Sequence, residues 1–307
     1  MSIESVAAST VTTDALVEAW NAAYAGYFVD VSRDATGLRA HVEAGSIDLG
    51  RSVVLRDGGR PIALSLLGAR PVDTSDDAVG ERGWIGGFGV APSHRGHGVA
   101  GRLIDEQLDV ARRSGVAFVD LEVLTQNWAR RVYERAGFTV RRRLLVLSGP
   151  LDPTTTAGDT PDPPGWLLTS RATEVEASVR GMAAISGCHR APWGREPTHL
   201  GLDADVVVLS TGPGSGTVPQ AGDEADGILL LRPLPERVAV LAAAARDDRA
   251  AHRLARGLAR EYAGTTCRVV NEPEGSPLVA ALGAVGMVEE LAQHEMRVEL
   301  SPANAST

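Results

Sequence analysis

Two stretches of this 307-residue chain combine residue types and spacings that can do chemistry. The first is Val90-Ala91-Pro92-Ser93-His94-Arg95-Gly96-His97-Gly98-Val99-Ala100. An apolar run ends at Val90, a glycine-rich turn follows, and an amphipathic helix begins. Glycines in such a turn let backbone N–H groups converge on one point, and the helix N-terminus adds roughly half a positive charge. Together they make a pyrophosphate site, to which Arg95 can add a full charge. A plain strand-to-helix turn needs one glycine, whereas Gly96, Gly98 and Gly101 cluster here. The second stretch is Leu121-Glu122-Val123 followed by Asn127-Trp128-Ala129-Arg130-Arg131-Val132-Tyr133-Glu134-Arg135-Ala136-Gly137-Phe138. Ala129, Val132 and Ala136 make the buried stripe of a helix. Tyr133 lies beside that stripe and, by residue type alone, is a half-buried ring with its hydroxyl in water. Asn127, on the same footing, is a helix N-cap.

Gly96-His97-Gly98-Val99-Ala100-Gly101 also fits the G-x-G-x-x-G pattern of dinucleotide sites, with Asp120 near the place of a ribose-binding acid. Two observations weigh against that reading. The first glycine should follow its strand almost directly, yet Ala91–Arg95 intervene. The unit should also open the domain, yet two helices and a hairpin precede it.

The elements that must position these residues are legible from periodicity. Thr12–Tyr27 and Ala35–Glu43 read as helices, the first with Leu16, Trp20, Ala23 and Tyr27 on one face. Two apolar runs flanking Asp57-Gly58-Gly59 read as a hairpin. A strand at Trp84–Val90, a helix at Arg102–Ser114, a strand at Val116–Leu124, a helix at Trp128–Ala136 and a final strand at Phe138–Leu147 complete a mixed sheet with helices on it. Shifting this half along the chain places Gly115 on Gly264, Gly137-Phe138 on Gly286-Met287, and the helix 102–114 on 251–263. Agreement of three features at one offset argues for internal duplication. Between the halves lies Gly149–Gly165, rich in proline, threonine and aspartate, which reads as an extended linker.

Composition bounds the function. All 30 basic residues are arginine; without lysine there is no P-loop, Schiff base or lysine nucleophile. Net charge is −9, and the lone basic run, Arg141-Arg142-Arg143, is no nucleic-acid footprint. Cys188 and Cys267 are too few for a disulfide framework or a zinc site, which fits a reduced, cytoplasmic protein without a metal. Neither a signal peptide nor a membrane span is expected.

The pair of patterns V-x-P-x-x-R-G-x-G-x-A and N-x-A-x-x-x-Y-E-x-x-G-F resembles the GNAT superfamily of acyl-CoA-dependent N-acyltransferases, over about residues 12–147 and weakly over 166–300. The resemblance implies an α/β fold of two tandem domains, each a mixed sheet flanked by helices. The expected boundaries are a catalytic domain at 1–149, a linker at 150–165, a degenerate domain at 166–302 and a tail at 303–307. It implies that acetyl-CoA is the acyl donor, held by Val90, Arg95, Gly96, His97, Gly98, Val99, Ala100, Gly101 and Asn127. It further implies that the Val90 N–H receives the thioester oxygen and that Tyr133 is the general acid for the leaving thiolate. Many family members carry a glutamate base near the position of Trp84. The strand here has no acid, which leaves Glu122 or His94 as candidate bases acting through water. Gly86, Gly87 and Gly89 in that strand imply a close neighbour, expected to be the acyl group and acceptor.

The second copy departs from the pattern. Ala245-Arg246-Asp247-Asp248-Arg249 has no glycine and two acids where the loop should be, and Leu282 stands in the place of Tyr133. This copy is expected to have lost cofactor binding. Cys188-His189 is read as no nucleophile pair, and Thr211–Gly227 as a loop rather than a phosphate cradle. The expected activity is transfer of an acetyl group to the primary amine of a small acceptor, by a monomer or homodimer without nucleic-acid or membrane partners. Asp73, Asp76, Asp77 and Glu81 would steer a cationic acceptor. Acetylation of a protein amine, or acyl-CoA sensing without turnover, are the alternatives.

Overall fold

The computed structural model describes residues 3–72, 80–156, 166–185, 191–200, 205–212 and 225–300. Asp73, Asp76, Asp77, Cys188, His189, most of the expected linker and the expected tail lie outside the described residues. The chain forms two compact units, Met1–Arg141 with His294–Thr307, and Arg142–Gln293.

In chain order the first unit contains β1 (Ile3–Ala7), α1 (Thr13–Ala23), α2 (Ala35–Ala44), β2 (Val53–Asp57), β3 (Arg60–Pro71), β4 (Glu81–Val90), α3 (Val99–Arg113), β5 (Val116–Leu124) and α4 (Arg130–Arg135). Strands β1 to β4 are antiparallel neighbours in sequence order, and β5 runs parallel to β4. The β2–β3 turn has positive φ at both Gly58 (56°) and Gly59 (81°), the primed geometry that matches strand twist. Helix α1 starts at Thr12, whose side chain accepts from the Ala15 N–H at 3.3 Å. It stops at Ala23, short of the expected Tyr27, because the Arg95 guanidinium takes the carbonyls of Ala23 and Ala25 and Gly26 turns left-handed. Helix α3 buries Leu103, Ile104, Leu108 and Ala111, and its Gln107 donates to the Arg51 carbonyl at 2.8 Å.

The second unit follows the same plan. After β6 (Thr139–Pro150) come β7 (Trp166–Thr169), α5 (Ala172–Ile185), β8 (Val207–Thr211), β9 (Gly227–Leu234), β10 (Arg237–Ala245), α6 (Asp248–Glu261), β11 (Thr266–Pro273), α7 (Pro277–Gly283) and β12 (Val288–Glu299). Strand β11 is parallel to β10, as β5 is to β4. Gly115 and Gly264 both have φ of 75°, and Gly137 and Gly286 have 94° and 98°. The glycines matched by the repeat therefore share their left-handed turns, which only glycine adopts cheaply.

The compact units differ from the halves expected from the sequence. The strand after α4 belongs from Arg142 onward to the second unit, and the end of β12, from His294, belongs to the first. Burial sets this. Leu145 and Leu147 of β6 pack among Leu229, Val269 and Leu282, with Leu147 opposite Val269. Met296, Val298 and Leu300 pack among Ile104, Val119 and Phe138, and the Leu300 N–H donates to the Ala117 carbonyl at 2.8 Å. Strand β6 also runs to Pro150, with Leu151 fully buried, so the expected linker starts later than its composition indicates. Among the described residues no helix is long and apolar enough to cross a membrane.

Candidate active site

The site begins where β4 and β5 part. Their parallel pairing ends at Trp84 opposite Asp120, while β4 stays paired with β3 through Val90 opposite Ala63. The Ala91 N–H donates to the Ile62 carbonyl. Alternation along an antiparallel ladder then turns the N–H groups of Phe88 and Val90 away from β3, into the gap left by β5. The Phe88 N–H donates to the Tyr24 hydroxyl at 3.1 Å.

Gly86, Gly87 and Gly89 do have close neighbours, but these are the protein's own. An added Cβ at Gly86 would meet the Trp84 ring at 2.2 Å, at Gly87 the Trp20 ring at 2.4 Å, and at Gly89 the Ala23 Cβ at 2.7 Å. Gly87 and Gly89 let α1 lie directly on β4 and Gly86 makes room for the Trp84 ring, and this corrects the expectation that acyl group and acceptor fill the space.

Past Val90 the chain makes one 3-10 turn and enters α3. Gly96 and Gly98 are left-handed, with φ of 81° and 80°, and Gly98 caps the helix without a side chain. The first helical bond runs from the Arg102 N–H to the Gly98 carbonyl, so the N–H groups of the first turn have no acceptor within the helix. An added Cβ at Gly96, Gly98 or Gly101 would meet nothing within 4 Å. Open space thus adjoins a run of unserved donors at a positive helix end, which fits a diphosphate. Arg95 supplies structure: its guanidinium donates to the carbonyls of Val90 and Ala23, each at 2.9 Å, and of Ala25 at 3.3 Å.

A cleft of about 540 Å³ opens on this turn. Val90, Arg95, Gly96, Gly98, Val99, Ala100, Gly101 and Asn127 all line it; His97 is exposed and does not. Three of the four tyrosines converge beside it, with Tyr24 and Tyr27 in its wall and Tyr133 behind Phe88. The Tyr133 ring is buried edge-on between Phe88 at 5.3 Å and Phe138 at 5.9 Å. The G-F ending of the motif is what places Phe138. Gly137 turns left-handed and the Phe138 N–H returns to the Tyr133 carbonyl at 3.0 Å, closing α4. Burial, with Tyr24 and Tyr27 nearby, holds the Tyr133 phenol well above its ordinary value, so it keeps its proton. Asn127 does two things. Its Oδ1 accepts from the Ala129 N–H at 2.9 Å as a cap before α4, and its side chain lies beside Tyr27, partly offsetting the rise in the Tyr27 pKa that burial causes.

The two candidate bases are not brought to the cleft wall. His94 faces the hairpin turn, 3.6 Å from Asp57, with Nδ1 2.9 Å from the Ser93 hydroxyl. Glu122 lies beyond the last β4–β5 pair, where it accepts from the Trp84 indole N–H at 2.6 Å. Asp120, the acid of the dinucleotide alternative, is clasped by Arg297 at 2.7 and 2.9 Å while that guanidinium lies 3.6 Å over the Phe118 ring. Glu81 pairs with Arg51 at 2.5 Å. Sequence reasoning missed Tyr24 and His41. The His41 Nε2 lies 2.8 Å from the Gly86 carbonyl, and burial with Arg33 alongside pushes its pKa down to about 4. Neither residue belongs to a motif; helix packing carries them to β4.

In the second unit the matching helix end is closed. Asp247 caps α6, its carboxylate accepting from the Ala250 N–H at 2.8 Å. The chain's own acid stands where the first unit leaves its donors open. Leu282 is fully buried, and burial pushes the Cys267 thiol up to about 12.

Residues 14–138 match the sequence model of the acetyltransferase (GNAT) family. Mycothiol acetyltransferase of Tsukamurella paurometabola is 32% identical over 152 residues, which are 46% of this chain and 48% of that protein. The chain thus matches about half the length of this relative. A GCN5-related N-acetyltransferase structure from Sphaerobacter thermophilus aligns over 98% of this chain and 96% of its own, with a TM-score of 0.63 at 14% identity. A tandem GNAT protein from the clavulanic acid biosynthesis pathway aligns over 99% and 100%, with a TM-score of 0.60 at 14% identity. At these identities the structures establish a shared tandem fold.

Proposed function

We propose, from the match of residues 14–138 to the acetyltransferase (GNAT) family model, that the protein is an acetyl-CoA-dependent N-acetyltransferase acting on the primary amine of a small acceptor. The observation that carries this is the uncapped first turn of α3, open to the cleft beside three glycines with room around them. The backbone N–H groups of Gly98 to Gly101 would hold the pyrophosphate, and Asn127 and the edge of β4 the pantetheine arm. Acetyl-CoA supplies the activated acyl group when bound. The Val90 N–H faces the gap between β4 and β5 and would take the thioester oxygen, an interaction worth roughly 3 kcal/mol in the transition state. Tyr133, protonated across the working pH range, would give its proton to the departing sulfur. Glu122 is the one candidate base beside the parted strands, reached through water. The first unit carries this chemistry, and the second, with Asp247 closing α6, binds no acyl-CoA. With Glu81 paired to Arg51, a cationic acceptor rests on the net charge of −9. The test is thiol release from acetyl-CoA against a panel of small amines and amine-bearing peptides. Release with none of them overturns the proposal; release with peptides alone moves the acceptor to proteins.

A further inference from the structure

Among the described residues, the Tyr24 hydroxyl is committed on one side only. Its oxygen accepts from the Phe88 N–H at 3.1 Å, within the stretch of β4 that has lost β5 as a partner. Its ring is fixed by Trp20 at 4.7 Å and Tyr27 at 5.3 Å between centroids. Tyr24 lines the same cleft as Val90 and the glycine turn. Phe88 thus holds both phenols: its backbone bonds the Tyr24 oxygen, and its ring packs edge-on against Tyr133. An N–H that donates to a phenol oxygen also polarises the phenol's own O–H, which makes it a stronger donor. Burial pushes the Tyr24 pKa up to about 12, so that proton is present throughout the working range.

We propose that Tyr24 is a second catalytic phenol, donating a hydrogen bond from its hydroxyl to the acyl carbonyl oxygen as negative charge develops there. This rests on the acetyltransferase reading above and adds a residue to it. The amine nitrogen bonds the acyl carbon, and the carbon–sulfur bond breaks with its electron pair leaving on sulfur. Sulfur takes the Tyr133 proton, the surplus proton of the amine passes to water, and Tyr133 is reprotonated from solvent. Tyr24 keeps its proton throughout. The two tyrosines therefore divide the work, one serving the oxygen and the other the sulfur. A preorganised donor at the oxygen acts in the transition state more than in the ground state.

The test needs no acceptor. Acetyl-CoA labelled with ¹³C at the acetyl carbonyl is bound to the wild-type protein and to Tyr24→Phe. A carbonyl receiving the phenol hydrogen bond resonates downfield of free acetyl-CoA. In the variant the resonance should return toward the free position, with affinity and thermal melt unchanged. With an amine that supports turnover, kcat should fall by about 10²-fold, the scale of losing one such donor, while KM for acetyl-CoA holds. Identical carbonyl shifts in the two proteins overturn the inference. So does a faster variant, which would make Tyr24 a placeholder competing for the Phe88 N–H. Failure of acetyl-CoA to bind the wild-type protein overturns the acetyltransferase reading itself, and is told apart by the missing binding signal.

Discussion

Replacing Gly101 by aspartate separates cofactor binding from folding. Gly98 is a poorer choice, because its φ of 80° strains any L side chain. Gly101 lies in the first turn of α3, has ordinary helical backbone, and an added Cβ there meets nothing within 4 Å. Aspartate should therefore be accepted. It gains a few tenths of a kcal/mol in helix propensity over glycine, and about 0.3–1 kcal/mol from a carboxylate at the positive helix end. The same carboxylate projects into the space assigned to the pyrophosphate. At about 5 Å in fully screened water each phosphate charge costs about 0.8 kcal/mol, and the pair about 1.7; a lower effective dielectric multiplies this. Acetyl-CoA affinity should then fall at least about 20-fold, with partial recovery in high salt. Gly101→Ala is the control for bulk, since it adds helix propensity without charge. The assay is calorimetric titration beside a thermal melt, and the wild-type protein should bind once per chain. An Asp variant that melts no lower and binds acetyl-CoA within threefold of wild type would refute the placement of the phosphate site.

Three further outcomes are expected. Tyr133→Phe keeps the ring between Phe88 and Phe138 but removes the proton donor, so turnover should fall by about 10²–10⁴-fold with affinity and melt held; a loss under about threefold, well short of that range, returns Tyr133 to a packing role. His41 is neutral in the fold, with its pKa lowered from 6.5 to about 4, so protonation favours unfolding as the pH falls between those values. Wild-type stability relative to His41→Gln should decline over that window by up to about 3 kcal/mol, read from denaturant melts at several pH values, and parallel curves would contradict it. Arg297→Met leaves Asp120 buried without its bidentate partner and should cost about 3–5 kcal/mol; a melt like that of the wild type would show the pair to be dispensable.

The glycine turn and the N-x-A-x-x-x-Y-E-x-x-G-F helix were legible because their geometry is local: left-handed turns and a bare helix end need particular residues at fixed spacing. The 149-residue repeat was legible for the same reason, through paired turn glycines that keep the same φ. Tyr24 and His41 were not, because a tyrosine at a helix end and a histidine mid-helix acquire meaning only when α1 and α2 dock on β4. The glycines of β4 signalled a close approach, but spacing cannot say that Trp20 and Ala23 make it. The partners of β6 and β12 were hidden as well. Each is a long strand whose apolar residues suit either core, and chain proximity favours the neighbour that the fold does not use.

That allocation of strands has a consequence in time. During synthesis the glycine turn, the cleft and Tyr133 are complete by residue 138, yet the first unit still lacks Met296, Val298 and Leu300 and the arginine that neutralises Asp120. A nascent chain halted after the first half holds an open sheet edge at β5 and a charged carboxylate in what will become its interior, a state prone to pairing with other chains. Completion of the core beneath Tyr133 is thus deferred until residues 296–300 are made. Damage to this segment would reach the cleft through Ile104, which packs in one core with Met296, Val298 and Leu300 and also lines the cleft.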